Sequence, residues 1–222
     1  PIDFDLDSEV DTIIGAPLGF ANSGAVYLSG SNTSIVVLGA NSEEAGTAVA
    51  GHRSSLYYAF SQPKSSSGAG DVIVRDLNFL TPGLSCSVAR SGTGTSVDFG
   101  KALKHLHQPA FNNIFTLSSA VWAAYRSESS TGGSVAIFKT DGSTCSSEYQ
   151  YNNCIADPNQ EQGSVLAGGS SCTGHLSGSV KSALIVGSPG YNSGTGRIDI
   201  VAEGSDHSSP TICSGGGGGG GG

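Results

Sequence analysis

The sequence has little charge and no long apolar run. Only 13% of its 222 residues are charged, and no uninterrupted apolar stretch approaches the roughly 20 residues that a membrane helix needs. No segment combines a helix-length apolar stripe with helix start and stop signals. Glycine, which weakens helix interiors, is abundant at 34 residues. We therefore expect no membrane insertion, little helix, and many short strands joined by tight turns.

Positive charge is also scarce. The chain has 10 lysines and arginines against 18 aspartates and glutamates, and its formal net charge is −8. A negative surface repels the phosphates of nucleic acids and of anionic membranes. We therefore expect neither nucleic acid nor an anionic membrane surface as a partner, whereas the binding of cations is compatible with this charge.

Methionine is absent, and the chain begins at Pro1 without a recognisable signal peptide, so we expect a processed chain whose targeting segment has been removed. Asn32 opens an Asn-Thr-Ser glycosylation sequon. None of the five cysteines is spaced as in a zinc or redox motif. Cys145 and Cys154 flank a polar loop and are candidates for a local disulfide. These features predict a secreted, extracellular chain in which one cysteine is left unpaired or is bonded outside the chain.

An acidic stretch near the N-terminus is the strongest candidate site. Carboxylates at alternating positions lead into the β-branched segment Thr12-Ile13-Ile14, and they are Asp3, Asp5, Asp7, Glu9 and Asp11. An acidic loop with closely spaced oxygen donors suits a hard cation such as calcium, which also relieves the repulsion among the acids. The alternative is a solvated acidic N-terminal segment without a metal.

A strand–loop–strand pattern recurs four times along the chain. The leading apolar strands are predicted at residues 12–14, 56–60, 114–117 and 184–186. The second strands, each introduced by glycine, are predicted at residues 24–28, 69–74, 132–138 and 195–200. An opening glycine-containing strand precedes three of the four copies, at residues 45–50, 99–103 and 162–167. The repeat predicts four similar supersecondary units, of which the first lacks its opening strand.

These motifs resemble those of the FG-GAP repeat, which builds the β-propeller of integrin α subunits. The order is Phe-Gly, an acidic loop, Gly-Ala-Pro and Gly-Ala-Val-Tyr, and residues 3–28 and 184–200 match it best. The middle copies depart from it, with Gln62-Pro63 and Ser118-Ser119 in place of Gly-Ala-Pro. The resemblance implies an all-β propeller with blades at residues 1–44, 45–98, 99–161 and 162–213. Residues 214–222 are a serine followed by eight glycines, and we assign this tail no structural role.

The resemblance also implies how the acidic loop binds one structural calcium ion. Asp3, Asp5, Asp7 and Asp11 would supply carboxylate oxygens, and Glu9 would supply a backbone carbonyl. Ser8 departs from the glycine that the family has at the sharp bend. The corresponding segments of the other copies lack this set of acids, so a single site is expected.

Four blades are fewer than such propellers usually have. Three interpretations follow: a fragment of a longer chain, a half-propeller completed by another copy, or an open array whose first blade borrows a strand. Because unpaired strand edges attract pairing, the incomplete first blade favours a protein partner.

Aromatic and histidine residues provide weaker candidates. We predict that Trp122, Tyr125 and Tyr191 lie in loops, where their rings would contact a glycan or a protein partner; the alternative is packing between blades. His105 and His107 would share a face of a strand as a metal pair, but a surface or loop position is favoured. No nucleophile elbow or zinc-protease motif occurs.

The sequence therefore predicts a non-enzymatic extracellular binding or assembly module, acting in adhesion or as a subunit of a surface or filamentous structure. Its partners would be other protein chains, including copies of itself. Two alternatives remain: a propeller lectin that binds carbohydrate, and the accessory domain of a secreted hydrolase.

Overall fold

The fold is all-β over the residues that can be described. A computed structural model describes residues 12–29, 34–38, 43–51, 57–65, 70–76, 84–89, 98–106, 119–126, 132–141, 144–151, 159–169 and 183–202. These residues form short antiparallel strands and two single-turn segments. None of the described helical segments is long and apolar enough to cross a membrane.

The strands group into four antiparallel sheets in chain order. The first sheet comprises β1 (Thr12–Ala16), β2 (Ala25–Ser29) and β3 (Ser34–Leu38). The second comprises β4 (Val49–Gly51), β5 (Tyr57–Gln62), β6 (Asp71–Asp76) and β7 (Leu84–Ala89). The third comprises β8 (Leu103–Leu106), β9 (Ser119–Arg126), β10 (Ser134–Asp141) and β11 (Thr144–Tyr151). The fourth comprises β12 (Val165–Gly169), β13 (Ala183–Ser188) and β14 (Arg197–Ala202).

The leading strands confirm the predicted repeat in three of the four copies. β1, β5 and β13 overlap the segments predicted at residues 12–14, 56–60 and 184–186. The prediction was wrong in the third copy, where the leading strand is β9 and the run at residues 114–117 lies outside the described residues. β9 pairs along its whole length with β10 and over four residues with β8. Its small residues suit it to this central position, as Ala124 is fully buried.

The sheets pack face to face in series, and the second sheet is covered on both faces. Tyr58 and Phe60, on one face of β5, pack with Val26 of the first sheet. Tyr57 and Ala59, which alternate with them, pack with residues of the third sheet in a separate cluster. Period-two alternation along β5 thus supplies both cores, because successive side chains point to opposite faces.

Two of the connections between leading and second strands are left-handed turns of the same shape. The segments α1 (Gly19–Asn22) and α2 (Tyr191–Gly194) are single turns with positive φ angles at their centres. In α1 these are Phe20 and Ala21, and in α2 they are Asn192 and Ser193. The Gly24 amide donates to the Gly19 carbonyl at 2.9 Å, and the Gly196 amide donates to the Tyr191 carbonyl at 3.1 Å. The first and fourth sheets therefore have equivalent glycines, Gly24 and Gly196, at the start of their second strands.

The described residues do not form a closed ring of sheets. The first strand of each sheet contacts the first strand of the next sheet: β1 with β4, β4 with β8, and β8 with β12. The all-β prediction is confirmed, while a closed propeller is not seen in the described part of the chain.

Candidate functional site: the seams between sheets and the two outer faces

The predicted calcium loop lies outside the described residues, as do Asn32 and Cys154. Asp3, Asp5, Asp7, Glu9 and Asp11 all precede Thr12, where the description begins. Cys145 lies in β11, opposite Thr140 of β10. Among the described residues, no group of three or more His, Cys, Asp or Glu side chains could hold a metal. The calcium loop, the sequon and the disulfide therefore remain predictions.

The loop positions predicted for Trp122 and Tyr125 were wrong. Both residues lie within β9, where Trp122 is opposite His105 on one side and Phe138 on the other. Tyr125 is only 6% exposed. Its ring lies beside the backbone of Gly133, so it packs inside the protein, as the alternative interpretation proposed. Central pairing of β9 on both sides places these aromatic residues in the sheet.

Tyr191 does lie in a connection, at the start of α2, and its ring is half-buried. The Arg197 guanidinium stands over the ring at 5.7 Å from its centroid, a cation–π arrangement. The Arg197 Nε donates to Asp199 Oδ1 at 2.7 Å, and this hydrogen bond raises the pKa of Arg197. The Tyr191 ring is thus held by the fourth sheet itself.

His105 is buried, contrary to the surface or loop position favoured from the sequence. It lies in β8 at 7% exposure, and His107 falls outside the described residues. The burial follows from the position of β8 at the seam between the second and third sheets, where Leu103 of the same strand joins the shared core. The described residues therefore give no support to a histidine metal pair.

The seams between sheets are built from one short segment, used three times. Each segment is an acid, a middle residue and a glycine, and we call it the acid-x-Gly segment. The three copies are Glu44-Ala45-Gly46, Asp98-Phe99-Gly100 and Glu161-Gln162-Gly163. In every copy the acid and the glycine both have positive φ. The carbonyl of each acid accepts a hydrogen bond from the amide three residues later, at 3.0–3.2 Å. A non-glycine residue seldom adopts this backbone conformation, so its recurrence shows that the turn is a defined part of the repeat.

The middle residue of each segment is seated on a glycine of the preceding sheet. Ala45, Phe99 and Gln162 have no exposed surface. A Cβ atom added to the facing glycine would meet backbone atoms of the seated residue at 2.3 Å for Gly24, 2.7 Å for Gly70 and 2.6 Å for Gly133. Only glycine allows so close an approach of two backbones, and all three have positive φ.

The glycine of each segment then fixes its own sheet. The amides of Gly46, Gly100 and Gly163 donate to carbonyl groups of the leading strands, at 2.9, 2.8 and 2.9 Å. The acceptors are at equivalent positions, and they are Ser61 in β5, Tyr125 in β9 and Gly187 in β13. One segment therefore both positions the leading strand of its sheet and contacts the sheet before it.

We call the face that packs on the preceding sheet the front face and the face that packs on the following sheet the back face. In the fourth sheet the front face is buried, with Leu184 and Val186 inaccessible or nearly so. Its back face carries Val165, Gly187 and Ile198, which are neighbours across the three strands. Val165 is 57% exposed and Ile198 is 73% exposed. Among the described residues, no sheet covers this apolar back face.

The glycine seat on this back face is open among the described residues. Gly196 has φ +78°, against +79° for Gly24, which occupies the equivalent position in the first sheet. A Cβ atom at Gly196 would have no described neighbour closer than 3.8 Å, and that neighbour is Pro189 of its own sheet. The fourth sheet therefore keeps the backbone of a seam without a described segment seated on it.

In the first sheet, the face that no described sheet covers is the front face, whereas in the fourth sheet it is the back face. Its back face, with Ile13 and Val26, packs on the second sheet. Its front face carries Ile14, which is 45% exposed, beside the half-buried Tyr27. The two ends of the stack are therefore a front face and a back face, the two kinds of surface that meet at every internal seam.

Comparison with known proteins does not assign the chain to a family. No model of a known protein family matches the chain, and no curated protein matches it. The candidate site rests on the geometry of the seams alone.

The repeat pattern in the sequence indicated the glycines of these segments, but the role of the acids in the turn was not predicted. An acidic residue stands two positions before each of Gly46, Gly100 and Gly163. That regular spacing was the available signal for the left-handed turn. The side chains of two of these acids contact nearby lysines: Glu44 pairs with Lys64, and Asp98 lies 3.9 Å from Lys101.

Proposed function

We propose that the chain is a non-enzymatic extracellular binding and assembly module, built from FG-GAP-like blades and joined through its blades to other protein chains. The observation that carries this proposal is the pair of uncovered end faces. Each seam between the described sheets buries one front face against one back face, whereas in the described part of the chain the first and fourth sheets each leave one such face exposed.

The chemistry of the exposed faces favours a protein partner. Ile14, Val165 and Ile198 present aliphatic side chains on strands, a type of surface that gains free energy when another apolar surface covers it. Among the described residues no cluster suited to metal chemistry competes with this interpretation. Glycan binding is the weaker candidate, because Tyr125 is buried and Arg197 stands over the ring of Tyr191.

Calcium at the acidic loop would serve this function by ordering the segment that leads into β1. Bound ions of this kind take oxygen ligands and hold an acidic turn together. We assign the ion a structural role, in keeping with the resemblance to FG-GAP repeats.

The proposal predicts that the purified chain associates with itself. Light scattering coupled to size exclusion, over a concentration series with calcium present, should show a mass that rises from one chain to two or more. A chain that stays folded and strictly monomeric through the highest soluble concentration would contradict the proposal.

A further inference from the structure

We infer that the back face of the fourth sheet binds the front face of the first sheet of a second copy, in a head-to-tail contact. This inference rests on the proposed function and names the two surfaces that would carry it. Three seams inside the chain follow the same front-to-back rule, so the contact between copies would be a fourth seam of the same kind.

The back face of the fourth sheet has the features of an internal seam. In the second sheet, the corresponding face is filled by the third sheet, with Tyr57, Ala59 and Val74 in one shared core. In the fourth sheet, Ile198 and Val165 flank Gly187 in register. Ile198 and Val165, on the two strands that flank β13, are 73% and 57% exposed, whereas Leu184 and Val186 on the opposite face of the sheet are buried.

Gly196 provides an independent indication. A left-handed glycine costs folding entropy, and glycine is required where another backbone approaches closely. Gly24, Gly70 and Gly133 each meet the backbone of the next segment, while Gly196 also has positive φ but, among the described residues, has only Pro189 of its own sheet nearby, at 3.8 Å from an added Cβ atom. The position is therefore prepared for contact with a further sheet.

The matching surface in the described chain is the front face of the first sheet. Ile14 lies opposite Tyr27 on this face, and no described sheet covers it. Because the two surfaces differ, the contact is heterologous: each copy uses one surface for each of two neighbours. Such a contact generates a closed ring if the rotation between copies closes and an open filament if it does not.

Two charge substitutions test the contact. Ile198→Lys on the back face and Ile14→Lys on the front face should each weaken self-association by roughly 10- to 100-fold, because a lysine replaces an aliphatic side chain that the contact buries. Both side chains are already exposed in the single chain, so both variants should keep the wild-type melting temperature. Leu18→Lys, at a residue that is 70% exposed but lies outside the strands, is the matched control and should associate as the wild type does.

Mixing the two variants tests the head-to-tail geometry. Ile198→Lys retains an intact front face and Ile14→Lys retains an intact back face, so an equimolar mixture should form a complex of one copy of each, which cannot grow further. If the wild-type chain associates and both variants associate equally well, the head-to-tail contact is wrong, while the proposed assembly function is still supported. A mixture that stays monomeric would also overturn the head-to-tail contact. A monomeric wild type would contradict both.

A matched pair of variants tests the open glycine seat at Gly196. Gly196→Asn adds a side chain at the seat, and asparagine tolerates positive φ better than most residues. Gly194→Asn makes the same change at φ +90°, in α2, where a Cβ atom has no described neighbour within 4 Å. Self-association should fall in the first variant and persist in the second. Equal association by both would contradict a seam at Gly196.

Discussion

The second and fourth sheets have the same construction and differ in what covers them. Both begin with an acid-x-Gly segment, and in both the glycine of that segment donates to the leading strand, Gly46 to Ser61 and Gly163 to Gly187. The second sheet has neighbours on both faces, whereas the described neighbour of the fourth sheet lies on its front face only. The repeat therefore determines which faces bind, and the neighbouring sheet in the chain determines which of these faces are already used.

The seated residues show how much variation this construction allows. Ala45, Phe99 and Gln162 occupy the same backbone position at three seams, with side chains of very different size and polarity. The backbone turn and the facing glycine are common to all three seams, so the position is defined by backbone geometry. The surrounding space then selects the side chain.

Removal of the largest seated side chain should have the greatest effect on folding. Phe99 is fully buried between the second and third sheets, where it belongs to their shared core. Phe99→Ala should lower the free energy of unfolding by about 3–5 kcal/mol, since the substitution leaves a cavity. Urea denaturation measures this loss. A decrease below about 1 kcal/mol would show that the seam does not depend on the seated side chain.

Calcium removal should have the next largest effect and should act at the first sheet. The predicted ligands immediately precede β1, while the corresponding segment before β13 has no carboxylate between residues 174 and 183. If calcium binds only the folded chain, a concentration of 100 times its Kd stabilises folding by about 2.7 kcal/mol. A chelator should therefore lower the melting temperature.

The double variant Asp5→Asn with Asp7→Asn is the control for calcium removal. It should melt at the temperature of the chelated wild type and should not respond to the chelator. A wild-type melting temperature that is unchanged by chelation would contradict the calcium site.

The smallest expected effect is the difference in stability between alanine substitutions at two glycines that share a backbone conformation. Gly24 and Gly196 have φ angles of +79° and +78°, so alanine is strained to a similar degree at both positions. At Gly24 the new Cβ would also meet the Ala45 backbone at 2.3 Å. Gly24→Ala should therefore cost about 1–3 kcal/mol more than Gly196→Ala, the usual penalty of overpacking.

Denaturation below the concentration at which the chain associates isolates this difference, because Gly196 is then free of contacts between copies. Equal losses of stability in the two variants would show that the seat at Gly24 is no tighter than the open one at Gly196.

Much of the fold could be predicted from the sequence because most of its strands have a recognisable local sequence pattern. The β-branched runs in β1 and β13, each followed by a proline or glycine turn, have the pattern of short buried strands. The third copy could not be predicted in this way. Ala120, Ala123 and Ala124 give β9 a low strand propensity, and its strand conformation depends on pairing with β8 and β10.

The candidate site was predictable only in part. The repeated glycines indicated seams, but the exposure of Ile198 and the open seat at Gly196 depend on the presence or absence of a neighbouring sheet. That is a property of tertiary arrangement, which no local pattern in β14 encodes. The resemblance to FG-GAP repeats suggested a partner, and the described geometry supplies the two faces that would bind it.

The most direct test of head-to-tail assembly is electron microscopy of the purified chain above its association concentration, with calcium present. We expect rings or filaments in which copies repeat head to tail, and we expect Ile198→Lys to reduce them to separate monomers. Separate monomers of the wild-type chain, or assemblies that persist unchanged in Ile198→Lys, would contradict head-to-tail assembly.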